Sequence, residues 1–125
     1  MAHELLRECI EACYECAAAC DHCAVACLAE PDPKPMARCV ALDVDCGDIC
    51  RLAAAFMSRG SELHMTTCEA CAEACEACGA ECDRFEMDHC KACAAACKRC
   101  AEECRRMVRE MGSKAGRSST RHAAH

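Results

Sequence analysis

The 125-residue sequence predicts an all-α protein, folded as an up-down-up-down antiparallel four-helix bundle with a cysteine-lined core. Two observations predict this fold class. Most of the nineteen cysteines recur at alternating intervals of four and three residues, the spacing that keeps side chains on the buried face of a bundled helix. Short breaks at residues 29–35, 59–61 and 84–88 divide the chain into four stretches of similar length, and short connections favour antiparallel neighbours.

The first two helices are delimited by proline and glycine. The first covers about residues 4–28 and ends at residues 29–35, which contain three prolines. Proline lacks the backbone N–H that a continuing helix needs, so the helix stops there. The second covers about residues 36–58, and Gly60 follows its end, where glycine commonly terminates a helix.

The second half of the chain predicts two more helices and a tail. The third helix continues to about residue 83 and, after a break at residues 84–88, the fourth ends near Met111. The remaining segment is rich in Ser, Gly, Lys and Arg, a composition typical of a frayed terminus. We therefore predict one bundle domain, residues 1–111, and a flexible C-terminal tail, residues 112–125.

Three of the four helices carry an unbroken ladder of cysteines on one face. A bundle normally places leucine and isoleucine at such positions, so the core of the protein and its chemistry are predicted to be the same residues. The ladder positions are Cys9, Cys13, Cys16, Cys20, Cys23 and Cys27 in the first helix, Cys68, Cys71, Cys75, Cys78 and Cys82 in the third, and Cys90, Cys93, Cys97, Cys100 and Cys104 in the fourth.

The second helix has fewer cysteines and an acidic residue in their register. Extending the spacing through Cys39, Cys46 and Cys50 puts Asp43 on the same face. Two interpretations stay open. The helix is rotated so that Asp43 reaches solvent, since an unpaired buried carboxylate is costly, or the carboxylate lies among the thiols as a hydrogen-bond acceptor or an oxygen ligand of a metal ion.

Composition and charge argue against several classes of function. The formal net charge of −6 offers no basic surface for nucleic acid. No apolar stretch is long enough to span a membrane, and the N-terminus mixes acidic with apolar residues, unlike a secretory signal. We therefore expect a cytoplasmic protein without nucleic-acid or membrane partners. In a reducing compartment, so many cysteines favour metal binding or redox chemistry over a disulfide framework.

The ladder spacing indicates an ion that accepts few, soft ligands. Residues four apart on a helix have Cβ atoms about 5–6 Å apart, whereas a disulfide requires about 3.5–4.5 Å. Such pairs do not readily oxidise, but two thiolates can share one ion, and Cu(I) favours low coordination by soft sulfur. The CxxxC pairs are Cys9/Cys13, Cys16/Cys20, Cys23/Cys27, Cys46/Cys50, Cys71/Cys75, Cys78/Cys82, Cys93/Cys97 and Cys100/Cys104.

Charge separates Cu(I) from its alternatives. If every thiolate bridges two Cu(I) ions, the ratio of metal to sulfur approaches one and the buried core is nearly neutral. Closed zinc sites would number about four, each with a charge of about −2 in the interior. Iron–sulfur binding lacks the bacterial C-x₂-C-x₂-C-x₃-C-P run. We expect multiple Cu(I) ions per chain; the alternative is iron–sulfur or zinc-thiolate binding in a redox or metal-buffering role.

The cysteine ladders of three helices and the depleted second helix resemble the cytosolic branch of the bacterial copper storage protein (Csp) family. The resemblance extends from about Glu4 to Met111. It implies a homotetramer of bundles, each holding many Cu(I) ions on its core cysteines for storage or detoxification. Copper ions and a copper chaperone or acceptor protein are the expected partners. We expect no enzyme activity, because repeated identical thiols single out no nucleophile with its own base.

One end of the predicted bundle carries weaker soft ligands. In an antiparallel bundle the starts of the first and third helices meet the ends of the second and fourth. Continuing the cysteine register of each helix to this end reaches Leu6, Met57, His64 and the pair Met107 and Met111. Thioethers and imidazole bind Cu(I) more weakly than thiolates do, which predicts a port that passes ions inward. The alternative is that the methionines only close the core.

Two other histidines are predicted to lie outside the ladder. His22 and His89 each precede a cysteine by one residue, so both are expected to point away from the cysteine face. We assign them no function from the sequence.

Overall fold

Four α-helices make up the fold in a computed structural model of the chain. The structure describes the backbone of residues 2–123 and the side chains of residues 3–111. No strand occurs within the described backbone, so the predicted all-α class is confirmed. The helices are α1 (Ala2–Leu28), α2 (Ala37–Ser58), α3 (His64–Cys82) and α4 (Asp88–Ala123), with a 3₁₀ turn (Lys34–Met36) before α2.

The helices occupy the four corners of an up-down-up-down bundle. α1 packs against α2 and α4, and α3 packs against the same two helices. Each helix therefore lies beside the next one in the chain, as the short connections predict. Gly60 forms the turn between α2 and α3 with a φ of 67°, a conformation that residues with a Cβ rarely adopt.

The last helix is longer than its sequence suggests. Composition predicts an end near Met111, but α4 continues to Ala123, so that boundary is wrong. The segment beyond Met111 contains no proline, and glycine weakens a helix without forcing it to stop. The division into a bundle of residues 1–111 and a tail of residues 112–125 stays a prediction.

Small side chains bring the helices close together around the cysteines. Ala53, Ala54 and Ala72 are fully buried beside the cysteine ladders. At Gly79 an added Cβ would lie 3.2 Å from Cys97 Cβ, closer than ordinary van der Waals contact, so α3 and α4 approach tightly there. The buried apolar side chains larger than cysteine among the described residues are Leu5, Met36, Met57 and Met107. The middle of the core is therefore almost entirely sulfur and alanine.

Ion pairs connect each pair of neighbouring helices at the surface. Most join exposed groups, and exposed ion pairs contribute little to stability. Glu81 is the exception, because its side chain is only 2% exposed and accepts hydrogen bonds from two arginines. The pairs that cross between helices include Asp21–Arg51, Arg38–Glu81, Glu76–Arg105 and Glu15–Arg99. The bundle is thus held mainly by its core.

None of the helices, over the part of the chain that is described, combines the length and the apolar character needed to cross a lipid bilayer.

Candidate metal centre

All nineteen cysteine side chains face the inside of the bundle. Each has 0% of its surface exposed, and each is a free thiol. The alternating spacing of four and three residues explains this result, since it keeps every ladder position on the same face of its helix. The predicted cysteine-lined core is therefore confirmed, including the three cysteines of the depleted helix α2.

Within each helix, successive rungs of a ladder bring their sulfur atoms close together. Six of the eight CxxxC pairs have Sγ–Sγ distances of 3.8–4.0 Å. These distances are too long for a covalent S–S bond, whose length is about 2.05 Å. They are short enough for one soft ion to bind both sulfurs.

Sulfur atoms of different helices approach as closely as those within one helix. Cys39 Sγ lies 3.3 Å from Cys82 Sγ, and Cys46 Sγ lies 3.5 Å from Cys75 Sγ. Cys13 Sγ is 3.6 Å from Cys100 Sγ at another level of the bundle. The thiols therefore form one connected network along the bundle axis, to which all four helices contribute.

The network divides into groups of four sulfurs that share members. Within each group all sulfurs lie within 4.8 Å of one another, and Cys16, Cys20, Cys46 and Cys97 each belong to at least two groups. The groups include Cys13/Cys71/Cys100/Cys104, Cys16/Cys46/Cys50/Cys75, Cys16/Cys20/Cys46/Cys97, Cys20/Cys78/Cys93/Cys97 and Cys23/Cys27/Cys39/Cys90. Shared sulfurs are suited to bridging thiolates, whereas separate closed zinc sites each require four thiolates of their own.

Asp43 lies inside the sulfur network. Its side chain is 0% exposed, so the solvent-facing interpretation is wrong. Oδ1 accepts hydrogen bonds from the thiols of Cys78, Cys82 and Cys93 at 3.1, 3.4 and 3.3 Å. Burial raises the pKa of Asp43 to about 6. The thiol donors explain how a carboxyl group is tolerated within the cluster.

Burial also affects the ionisation of the thiols at that end of the core. It raises the pKa of Cys90 to about 11 and that of Cys39 to about 12. Without metal these two thiols are therefore protonated and uncharged at neutral pH. A metal ion must displace their protons in order to bind.

His89 is a neighbour of the cysteines that the sequence interpretation missed. Its Nδ1 atom lies 3.7, 3.8 and 3.5 Å from the sulfurs of Cys23, Cys27 and Cys90, so the prediction that it points away is wrong. One signal was available: His89 lies four residues before Cys93 and so occupies an i, i+4 position toward the ladder. His22, by contrast, is exposed as predicted.

The opposite end of the bundle contains the predicted methionine and histidine residues. Met57 and Met107 are buried, and Met111 packs against the core cluster while partly exposed. His64 is half-buried; its Nδ1 lies 2.9 Å from the carbonyl oxygen of Ser61, and its buried Nε2 has no hydrogen-bond partner among the described residues. Leu5 rather than Leu6 is the fully buried leucine at this end.

Comparison with known proteins explains a core of this kind. Residues 2–109 match the family model described as Copper storage protein (Csp). The chain belongs to the copper storage protein family. It is also 48% identical, over 81 residues, to the Uncharacterized cysteine-rich protein YhjQ of Bacillus subtilis (strain 168), covering 65% of this chain and 75% of that protein.

Solved structures of copper storage proteins share the fold. The Cu(I)-bound copper storage protein BsCsp3 is 47% identical, with a TM-score of 0.80 over 82% of this chain and 97% of that one. A cytosolic copper storage protein from Streptomyces lividans, in a structure with five coppers, is 39% identical, with a TM-score of 0.83 over 86% of this chain and 94% of that one. Relatives with this fold therefore hold several copper ions per structure.

Replacing Asp43 tests the cost of its burial. The carboxyl pKa is about 6 in the folded protein, against an ordinary value of 3.8, so the native state holds this proton more tightly than the unfolded state. Stability of the metal-free protein therefore falls as pH rises from about 4 to about 6. We expect Asp43→Asn to remove this fall and to raise the unfolding free energy near pH 7.5 by at most about 3 kcal/mol.

Urea unfolding of the reduced, metal-free protein at about pH 4.5 and about pH 7.5 measures the effect. The matched control is Asp45→Asn, which alters an exposed carboxylate on the same helix. If Asp43→Asn lowered the unfolding free energy by the same amount at both pH values, that result would contradict the raised pKa assigned to Asp43.

Proposed function

We propose that this protein stores many Cu(I) ions on its core thiolates in the cytosol, as a reserve or as protection against excess copper. The connected groups of four buried sulfurs are the observation that carries the proposal. Membership of the copper storage protein family and the Cu(I)-bound relatives support it. Storage requires no chemical step on a substrate, so we propose no enzymatic role.

The charge of the core favours a univalent ion. A thiol that loses its proton becomes a buried anion, and buried anions are costly unless they are paired. One Cu(I) for each thiolate replaces the charge of the lost proton, so the core stays neutral as it fills. A divalent zinc ion on four thiolates leaves about two negative charges in the interior. The shared sulfurs Cys16, Cys46 and Cys97 further favour bridged Cu(I) over separate zinc sites.

The proposed ligands include more than the cysteines. All nineteen thiols are candidates because all are buried in one network. Asp43 can supply an oxygen ligand from within that network, and His89 can supply a nitrogen ligand at its end. At the opposite end His64, Met57, Met107 and Met111 are proposed as weaker ligands that pass ions to the thiolates.

We also propose the partners that storage requires. A copper chaperone or acceptor protein would deliver or receive the ions, and the bundle is proposed to assemble as a homotetramer. Exposed apolar side chains on the outer faces of α1 and α2 are consistent with assembly, since they include Val25 and Leu28 at 69% and 61% exposure.

Anaerobic titration of the reduced protein with Cu(I) against a competing chelator tests the storage proposal. We expect saturation to approach one ion per cysteine, whereas zinc-type sites would saturate near about four ions. The variant Cys46→Ala should lose more capacity than Cys68→Ala. Cys46 contacts four other sulfurs, whereas Cys68 interacts with the thiols of Cys9 and Cys104 at the end of the network.

Metal analysis of each saturated sample provides the measurement. Saturation of the wild-type protein by only a handful of Cu(I) ions would disprove the proposed storage function. Equal losses in the two variants would contradict the sharing of sulfurs between groups.

A triple variant tests the port at the methionine end. His64→Ala, Met57→Leu and Met107→Leu together remove the soft ligands there while keeping most of the apolar packing. We expect slower transfer of Cu(I) from a chelator in stopped-flow absorbance, with unchanged final capacity. The control Met36→Leu changes a buried methionine at the other end. Wild-type rates in the triple variant would mean that these residues only close the core.

A further inference from the structure

We propose that Glu30 is a positioning residue, which holds His89 in the tautomer that presents an unprotonated Nδ1 to the end of the thiol network. The inference rests on the proposed function, because it concerns how copper first meets the sulfurs at this end. It adds a residue from the loop after α1, outside every cysteine ladder.

The backbone brings Glu30 to the same end of the bundle as His89. Glu30 follows the last residue of α1 by two positions, and its N–H donates to the carbonyl oxygen of Cys27 at 3.2 Å. His89 is the second residue of α4. In the antiparallel bundle the end of α1 meets the start of α4, so the side chains of Glu30 and His89 meet beside Cys27.

His89 is held between a carboxylate and three sulfurs. Its Nε2 lies 3.4 Å from Glu30 Oε2, and its Nδ1 lies within 3.8 Å of the sulfurs of Cys23, Cys27 and Cys90. The imidazole is 13% exposed and the Glu30 side chain 32% exposed. His89 and Glu30 therefore both lie at least partly buried at this end of the network.

The hydrogen bond to Glu30 selects the tautomer of His89. A carboxylate only accepts hydrogen bonds, so the contact requires a proton on Nε2. In a neutral imidazole the other nitrogen then carries the lone pair, and this lone pair faces the three thiols. Histidine ligands of metal ions commonly donate their second ring N–H to a carboxylate in this way, which fixes both the tautomer and the ring orientation.

The tautomer of His89 decides whether its Nδ1 atom can bind a metal ion without first losing a proton. Each thiol must lose a proton before it binds copper, whereas an unprotonated Nδ1 can bind without losing one. In the opposite tautomer an N–H would point at the sulfurs and block the nitrogen as a ligand. Glu30 thus keeps one ligand ready beside the thiols of Cys23, Cys27 and Cys90.

Nitrogen NMR of the metal-free, reduced protein tests the tautomer directly. Samples carry ¹⁵N-labelled histidine, and a His89→Asn sample assigns the signals. We expect the Nε2–H tautomer of His89 in the wild-type protein and in Glu30→Gln, because the glutamine side-chain oxygen still accepts the hydrogen bond. Glu30→Ala should show a mixture of tautomers. Asp32→Ala, which removes an exposed carboxylate from the same loop, should match the wild-type protein.

Stopped-flow transfer of Cu(I) from a chelator adds a kinetic measurement on the wild-type protein and the Glu30→Gln, Glu30→Ala and Asp32→Ala variants. We expect the fast phase to slow by about tenfold in Glu30→Ala, with recovery in Glu30→Gln and unchanged final capacity. A wild-type tautomer in Glu30→Ala, or a Glu30→Gln protein that behaves like Glu30→Ala, would overturn the inference. Failure of the wild-type protein to store copper would overturn the proposed function, while the NMR result would still decide the tautomer.

Discussion

The structure depends on the burial of nineteen thiols that are neutral only while each keeps its proton or binds a univalent cation. Protonated cysteine packs as a small apolar residue, so the empty bundle can fold around its sulfurs. Each thiolate formed without a partner would be a buried anion. The core therefore favours replacement of each thiol proton by a univalent metal ion. It disfavours metal ions whose binding leaves excess negative charge in the interior. Helix packing and metal selectivity have a common origin in this constraint.

Asp43 and His89 depart from the uniform sulfur core at different levels of the bundle. Asp43 accepts hydrogen bonds from thiols of α3 and α4, and its burial costs stability in the metal-free protein at neutral pH. His89 contacts the thiols at one end of the network. Residues that cost stability or break a regular pattern tend to lie at functional positions. Both positions place a donor atom other than sulfur, an oxygen or a nitrogen, beside the thiols.

The repeated pattern explains which features were predictable from the sequence. The ladder spacing predicted helices and the burial of their cysteines, because one heptad rule governs all of these positions. The breaks and short connections predicted the number of helices and their antiparallel order. The same spacing rule put Asp43 in register with the cysteines of α2. It could not decide whether the carboxyl group faces solvent or the core, since its burial depends on thiol donors from α3 and α4. The contact between Glu30 and His89 joins a loop to a helix 59 residues away, and no periodicity encodes it. The length of α4 was missed because composition alone does not end a helix.

The number of protons released for each Cu(I) ion bound tests the neutral core most directly. A reduced, metal-free sample is loaded to saturation under anaerobic conditions in a pH-stat, with a weakly coordinated Cu(I) salt as the source. The account predicts an average release of about one proton per ion, because each ion replaces one thiol proton. A release of about two or more protons per ion, with saturation at half the number of thiols or fewer, would mean that anionic sites accumulate in the core and would contradict the account.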